Sequence, residues 1–464
     1  MGDVSGATTW DVVVIGAGPA GLAAAGTAAQ LGAEVLLLDE QAAPGGQIYR
    51  NMGSTSARQQ AILGEDYAHG AYLLAALEEP NLHYQPDATV WQVTGEREVF
   101  YSVDGRTSHV LARQLIIATG ALERPTPIEG WTLPGVMTVG ALQTLLKSAM
   151  VPSGRLVLAG SGPLLLLLAL QLQRAGADVA RIVDTTPRSN AWRAIAYLPD
   201  ALRGYDYLLK GVRMLRELER SRIPRTLYAE GLRAIGSDAG VSELRFCARG
   251  HWHTESCDLL LLHQGVVPNV QISRALRAEH DWDPVGRFWR PLLDTTCQST
   301  LPGIAFAGDG AGIGGALAAA YQGEVAACGA LARLQADHDH VTAAKLGRAA
   351  SMAYSRHLAA RPWLDALFAP ATECLTPPDD VLVCRCEEVT AGTVRELARG
   401  GCLGPNQLKA FSRAGMGPCQ GRYCGLTVCE LLAEVHETSP ADVGYYRLRN
   451  PVKPVTVADL ANID

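Results

Sequence analysis

No cysteine occurs before Cys247 in this chain of 464 residues. The first 246 residues therefore contain no redox dithiol, and the Cys247/Cys257 pair, with nine residues between them, has no redox-motif spacing. The chain also lacks a basic excess: 40 Lys and Arg against 47 Asp and Glu leave a formal charge of −7, which gives no electrostatic reason to bind nucleic acid. Long apolar runs are missing too. Leu156 to Leu170 is interrupted by Gly160, Gly162 and Pro163 and falls short of the ~18 residues of a membrane span. Met1 to Thr9 has no basic n-region of a secretory signal. These absences lead us to expect a cytoplasmic protein without transmembrane segments, reaching a membrane only through a complex. No Ser/His/Asp or Cys/His set stands out, and no general base sits in a motif. His251, His253 and His263 fall in a strand-rich stretch and read as structural.

What is present begins at Asp11. A buried strand to Ile15 runs into Gly16-Ala17-Gly18-Pro19-Ala20-Gly21, an alanine-rich helix to about Gly32, and a second strand, Val35 to Leu38, closed by Asp39 and Glu40. This is a βαβ dinucleotide-binding unit. Its glycines allow a tight turn, close approach of backbone to a pyrophosphate and close helix–strand packing; the acid accepts hydrogen bonds from a ribose. Asp39 is placed for that role, with Glu40 as the neighbouring alternative.

Three later segments resemble the two-dinucleotide-domain flavoprotein disulfide reductase superfamily: "PGGQ" with Gly46 and Gln47, "LIIATGA" with Thr119 and Gly120, and "LPGIAFAGDGAG" with Gly308 and Asp309. The resemblance implies FAD in a discontinuous domain, 1–150 and 290–345, with a second dinucleotide-binding-like domain, 151–289, inserted. In that insert Arg155 to Ala159 leads into Gly160-Ser161-Gly162-Pro163-Leu164-Leu165, and a further strand ends on Asp184. Leu165 stands where the third glycine belongs, so helix and strand cannot pack as closely. Asp184 suits a free ribose hydroxyl and Arg188 a phosphate; whether NAD(P)H, another nucleotide or nothing occupies this unit stays open.

Four thiols form the other cluster: Cys384-x-Cys386, then Cys419-x4-Cys424. Structural zinc favours C-x2–4-C pairs, whereas Fe–S clusters take four thiolates at more varied spacings. The glycines of "GMGPCQGRYCG" free main-chain amides to face sulfur. A helix from about Leu426 to Glu434 turns its positive end to the site, and Arg413 and Arg422 add charge. The spacing resembles the bacterioferritin-associated ferredoxin module, with C-x4-C replacing a shorter second pair. We favour [2Fe-2S] over zinc because a redox cofactor is already expected on the chain. Cys402 and Cys429 read as small buried residues.

A helical linker, 346–380, is expected to join the insert-bearing core to a [2Fe-2S] domain at 381–435, with helix from Ala343 to Leu367. His338 and His340 read as a solvated loop rather than a metal site. The tail, 436–464, reads as an extended arm lying over a neighbour, with Tyr445, Tyr446, Arg447 and Arg449 suited to an interface. The whole is an α/β protein of two Rossmann-like domains and a small four-cysteine module.

Together with "GSGPL", "DTTPR" and "RAGMGPCQGRYCG", this plan resembles the flavoprotein (A or alpha) subunit of heteromeric bacterial amine dehydrogenases, the opine oxidase, D-hydroxyproline dehydrogenase and hydrogen cyanide synthase family. The resemblance implies a partner flavoprotein similar to amino-acid oxidases, with a small third subunit in the same complex. The partner takes hydride from a C–N bond, and electrons pass through FAD and [2Fe-2S] here to an external acceptor. The rival readings are a self-sufficient NAD(P)H reductase of a carrier protein, a subunit oxidising glycine to cyanide, and a redox sensor switched by the four thiols.

Overall fold

The computed structural model describes residues 8–334 and 339–461. Its first sheet carries five parallel strands in the order Leu82–Gln85, Val35–Leu38, Thr8–Ile15, Arg106–Ile117 and Ile304–Phe306. The strands are apolar and β-branched because both faces are covered, and Val12 to Ile15 and Val35 to Leu38 are buried throughout. The sheet is discontinuous in sequence, as expected, since its last strand follows only after the whole second domain. An antiparallel pair, Thr89–Val93 and Glu98–Val103, extends the sheet from Arg106–Ile117.

Helix Pro19–Gln30 covers one face and packs on helix Ala316–Leu331. Small residues make that approach feasible: a Cβ on Gly323 would lie 2.1 Å from Ala20 O. Alanine and glycine along both helices therefore reflect close packing, which a larger side chain would break.

The second sheet is also parallel, in the order Arg225–Leu227, Asp178–Asp184, Arg155–Ser161, Leu259–Gln264 and Val136–Thr138. Its last strand lies ahead of residue 151, so the second domain draws in chain from before the expected boundary. A meander of Glu230–Ser237, Gly240–Ala248 and His251–Ser256 completes it.

The stretch expected as one helix, Ala343 to Leu367, is covered by two, His340–Leu358 and Arg361–Leu367. Pro362 explains the break: its ring cannot follow an uninterrupted turn, and it sits instead in the first turn of the new helix. Asp339 caps the longer helix by accepting from Thr342 N at 2.9 Å. His340 begins that helix; His338 lies outside the described residues. None of the described helices is long and apolar enough to cross a membrane.

The C-terminal module, with helices Ala391–Arg399, Pro405–Ser412 and Gly425–Val435, has its own core of Val394, Leu408, Val428 and Leu431. It docks through Trp131 Nε1, which donates to Leu382 O at 2.7 Å, and through the Arg287–Glu430 ion pair. The tail lies along its own chain. Val452 N donates to Trp91 O at 2.8 Å, and Lys453 pairs with Glu40, so it straps the module to the first domain of its own chain.

Candidate cofactor sites

The first glycine turn is pinned by Gly16 N donating to Leu38 O at 2.7 Å. Gly21 sits against it: a Cβ there would lie 1.7 Å from Gly16 O. Gly18 caps helix Pro19–Gln30 without a side chain, and Pro19 supplies its first position. The first-turn amides are thus open to an anion, as a pyrophosphate site requires. Gly46, at φ +58°, brings the "PGGQ" loop onto this turn; its Cβ would meet Gly18 Cα at 2.9 Å. Ala20 faces away, packed against Gly308 and Gly323.

Asp39 ends the second strand, 7% exposed. It accepts from Ala17 N at 2.5 Å and Gln41 N at 2.8 Å, so it orders the glycine turn as well as facing it. Burial raises its pKa, opposed by those amide bonds. Glu40 is committed to Lys453, which leaves Asp39 as the ribose candidate of the two.

Across the cleft, Asp309 Oδ1 accepts from Gly314 N and Gly315 N at 2.8 and 2.9 Å, leaving its second oxygen for a ligand hydroxyl. Gly308 N donates to Gln322 Oε1 at 2.9 Å, a buried support that no motif announced. Thr119 and Gly120 approach Gly310, and around Gly120 and Gly315 a Cβ would meet nothing within 4 Å. The motifs scattered along the sequence thus converge on one open cleft.

Sequence reasoning also missed Lys147. Buried at the end of helix Val139–Lys147, its Nζ donates to Gln47 O at 2.8 Å and Gln143 Oε1 at 3.0 Å. Nothing in its sequence context separates it from a surface lysine. Burial, with Arg50 adding like charge, pushes its ammonium down to about 7, against ~10.4 for an exposed lysine. Between these values the unfolded chain holds a proton that the folded chain releases, so this group makes stability rise with pH from about 7 upward. Below that range the penalty is at its full size. Lys147→Met is expected to flatten the rise in melting temperature between about pH 7 and about pH 9; an unchanged slope would refute the assignment.

The second glycine turn differs. Leu165 is fully buried in the core shared with the first domain. Asp184 pairs with Arg225 and accepts from Thr186 N at 2.9 Å, so both its oxygens are engaged. His263 closes the turn from the strand behind: a Cβ on Gly162 would lie 3.6 Å from its ring, and Nδ1 pairs with Glu123 Oε1 at 2.5 Å. Arg188 lies over the Tyr228 ring. Asp184 therefore differs from Asp39, which accepts only from backbone amides, in being bound to an arginine of its own chain.

The four cysteines come together as two contacting pairs, Cys384 with Cys424 and Cys386 with Cys419, each pair joining the two ends of the module. Contact with Cys424, and amides of Gly415, Glu387 and Cys386 directed at its sulfur, push the Cys384 thiol down to about 6 despite burial. Gly417 lets the loop close on Cys386, whose Cβ would stand 2.3 Å from an added methyl. Cys424 caps helix Gly425–Val435, which starts where expected. Among the described residues no three His, Cys, Asp or Glu side chains converge as a single-ion site requires. Arg413 is paired with Glu387 at 2.8 Å, whereas Arg422 donates to the neutral Val452 O at 2.7 Å and keeps its charge beside the cysteines.

Residues 10–323 match the pyridine nucleotide-disulphide oxidoreductase family, and 382–434 the BFD-like [2Fe-2S] binding domain. The A subunit of opine oxidase from Rhizobium meliloti is 42% identical over 98% of this chain and 99% of that protein. The chain belongs to the family of opine oxidase A subunits. A more distant relative, the HcnB subunit of hydrogen cyanide synthase from Pseudomonas aeruginosa, is 30% identical over 97% of this chain and 98% of that protein. The fold is shared with L-proline dehydrogenase from P. horikoshii at TM-score 0.69 and 18% identity, covering 98% of this chain and 79% of that one.

As a member of this family the chain is a flavin-dependent oxidoreductase whose cofactors are FAD and a [2Fe-2S] cluster. The residues present fit both groups. Uncapped helix amides, close-packed glycines and two acids suit a dinucleotide, while four thiols and sulfur-directed amides suit the cluster.

Proposed function

We propose that this chain is the electron-accepting subunit of a heteromeric dehydrogenase working on a C–N bond of an amine or amino acid, of the opine or D-hydroxyproline kind. A partner flavoprotein similar to amino-acid oxidases removes hydride from the substrate. Electrons then cross this chain, through FAD and the cluster, to an external acceptor. The observation that carries the reading is the coexistence of the Gly16–Gly21 cleft and the four-thiol module in a chain similar from end to end to the opine oxidase protein of Rhizobium meliloti.

When bound, flavin supplies two-electron chemistry and the cluster one-electron chemistry. The protein's part is to hold each. Gly16, Gly18, Gly46 and the first-turn amides would cradle the pyrophosphate; Asp39 would accept from the ribose, and Asp309 from a hydroxyl of the flavin chain. Cys384, Cys386, Cys419 and Cys424 would ligate the cluster.

Against a self-sufficient NAD(P)H reductase stand Leu165 and the Asp184–Arg225 pair. Under anaerobic conditions NADH is therefore expected to leave the flavin absorbance of the isolated chain unchanged over minutes. An amine substrate should bleach it only once the partner flavoprotein is added. Rapid bleaching by NADH without a partner would overturn the subunit reading.

A further inference from the structure

The tail supplies more than a strap. Tyr446 is 2% exposed, and its ring lies beneath the cysteine loop: a Cβ on Gly415 or Gly421 would come within 2.6 or 2.8 Å of it. Its hydroxyl is a buried donor that completes no hydrogen bond of full geometry with the protein, and the acceptor it faces is Cys424 Sγ. The backbone on either side of the ring is held by Asn406, whose Nδ2 donates to Tyr445 O at 3.0 Å and whose Oδ1 accepts from Arg447 N at 2.7 Å. Tyr445, next in line, is different: its hydroxyl is directed to Gly421 O at 3.4 Å.

A buried hydroxyl left without a partner is costly, and a protein keeps one where something completes it. We propose that the Tyr446 hydroxyl donates a hydrogen bond to the Cys424 sulfur of the bound cluster and so raises its reduction potential. The inference rests on the four thiols being the cluster ligands. Reduction adds one electron to the cluster, and the added negative charge spreads onto its sulfurs. A donor held at a sulfur favours that reduced state, as outer-shell hydrogen bonds do at metal centres. A hydrogen bond to a charged acceptor moves an equilibrium by about tenfold or more, and tenfold corresponds to about 59 mV for a one-electron couple. Tyr446 is thus a positioning and tuning residue that works through Cys424.

The test is a dithionite titration of the full chain with redox mediators, followed by the electron paramagnetic resonance signal of the reduced cluster. Tyr446→Phe is expected to lower the midpoint by about 59 mV, a tenfold shift in favour of the oxidised form. Placing 3-fluorotyrosine at position 446, a stronger donor of nearly the same shape, is expected to raise it. Tyr445→Phe should leave it in place. Midpoints that stay put, or move the same way in both variants of Tyr446, overturn its role while leaving the ligand assignment standing. Wild-type protein with neither iron, sulfide nor signal overturns the ligand assignment and this inference with it.

Discussion

A Cys424→Ala chain is expected to keep its flavin and lose its cluster. Cys424 is 1% exposed, touches Cys384, caps helix Gly425–Val435 and lies next to the Tyr446 hydroxyl. No other described thiol is placed to replace it: Cys429 is turned away, its Sγ donating to Gly444 O at 3.0 Å, and Cys402 sits in the module core. Even outer-shell changes cost about 10–100-fold in metal affinity, so loss of a ligand should cost about 100-fold or more. Iron and sulfide content should fall to background and the signal after dithionite should vanish. The flavin-to-protein ratio should hold, because no cysteine lines the first cleft. Amine-dependent reduction of an acceptor, assayed with the partner, should drop by about the same factor. A variant that kept its full iron content would remove Cys424 from the ligand set.

Gly21→Ala is expected to empty the other site. The added methyl would sit 1.7 Å from the carbonyl oxygen of Gly16. Both partners are backbone, so neither can yield without moving the helix off the strand. Overpacking of this kind typically costs about 1–3 kcal/mol, which lowers the melting temperature by a few degrees in a domain of this size. The larger effect is on binding, since a displaced helix carries its first-turn amides away from the pyrophosphate. Purified protein should be colourless in the flavin bands yet retain the cluster signal. A yellow Gly21→Ala protein with normal flavin content would refute the close-packing role of this glycine.

These two variants also measure what the sequence could convey. The strand ending at Ile15, the strand Val35–Leu38 and the helix after Cys424 were legible because periodicity, glycine and thiol spacing are local signals. Leu165 was legible as a departure, but its meaning was not. The closure of that turn depends on Arg225 and His263, which lie far along the chain from Asp184, and no local pattern ties them to it. Lys147 and Gln322 escaped for the same reason, since a buried amine or amide declares itself only through what surrounds it. The tail was legible only in part: Tyr446 and Val452 are buried within their own chain, which composition could not show, while Arg447 and Arg449 stay exposed.

The placement of that tail bears on how the protein is made. The first sheet cannot be finished until Ile304–Phe306 has left the ribosome, so the flavin cleft matures late in synthesis. The cysteine loop waits longer still, because Tyr446 and the segment from Asn450 to Lys453 must arrive before its floor is in place. The floor of the four-cysteine loop is thus laid by chain that is itself anchored to the first domain, so the two cofactor sites share one support.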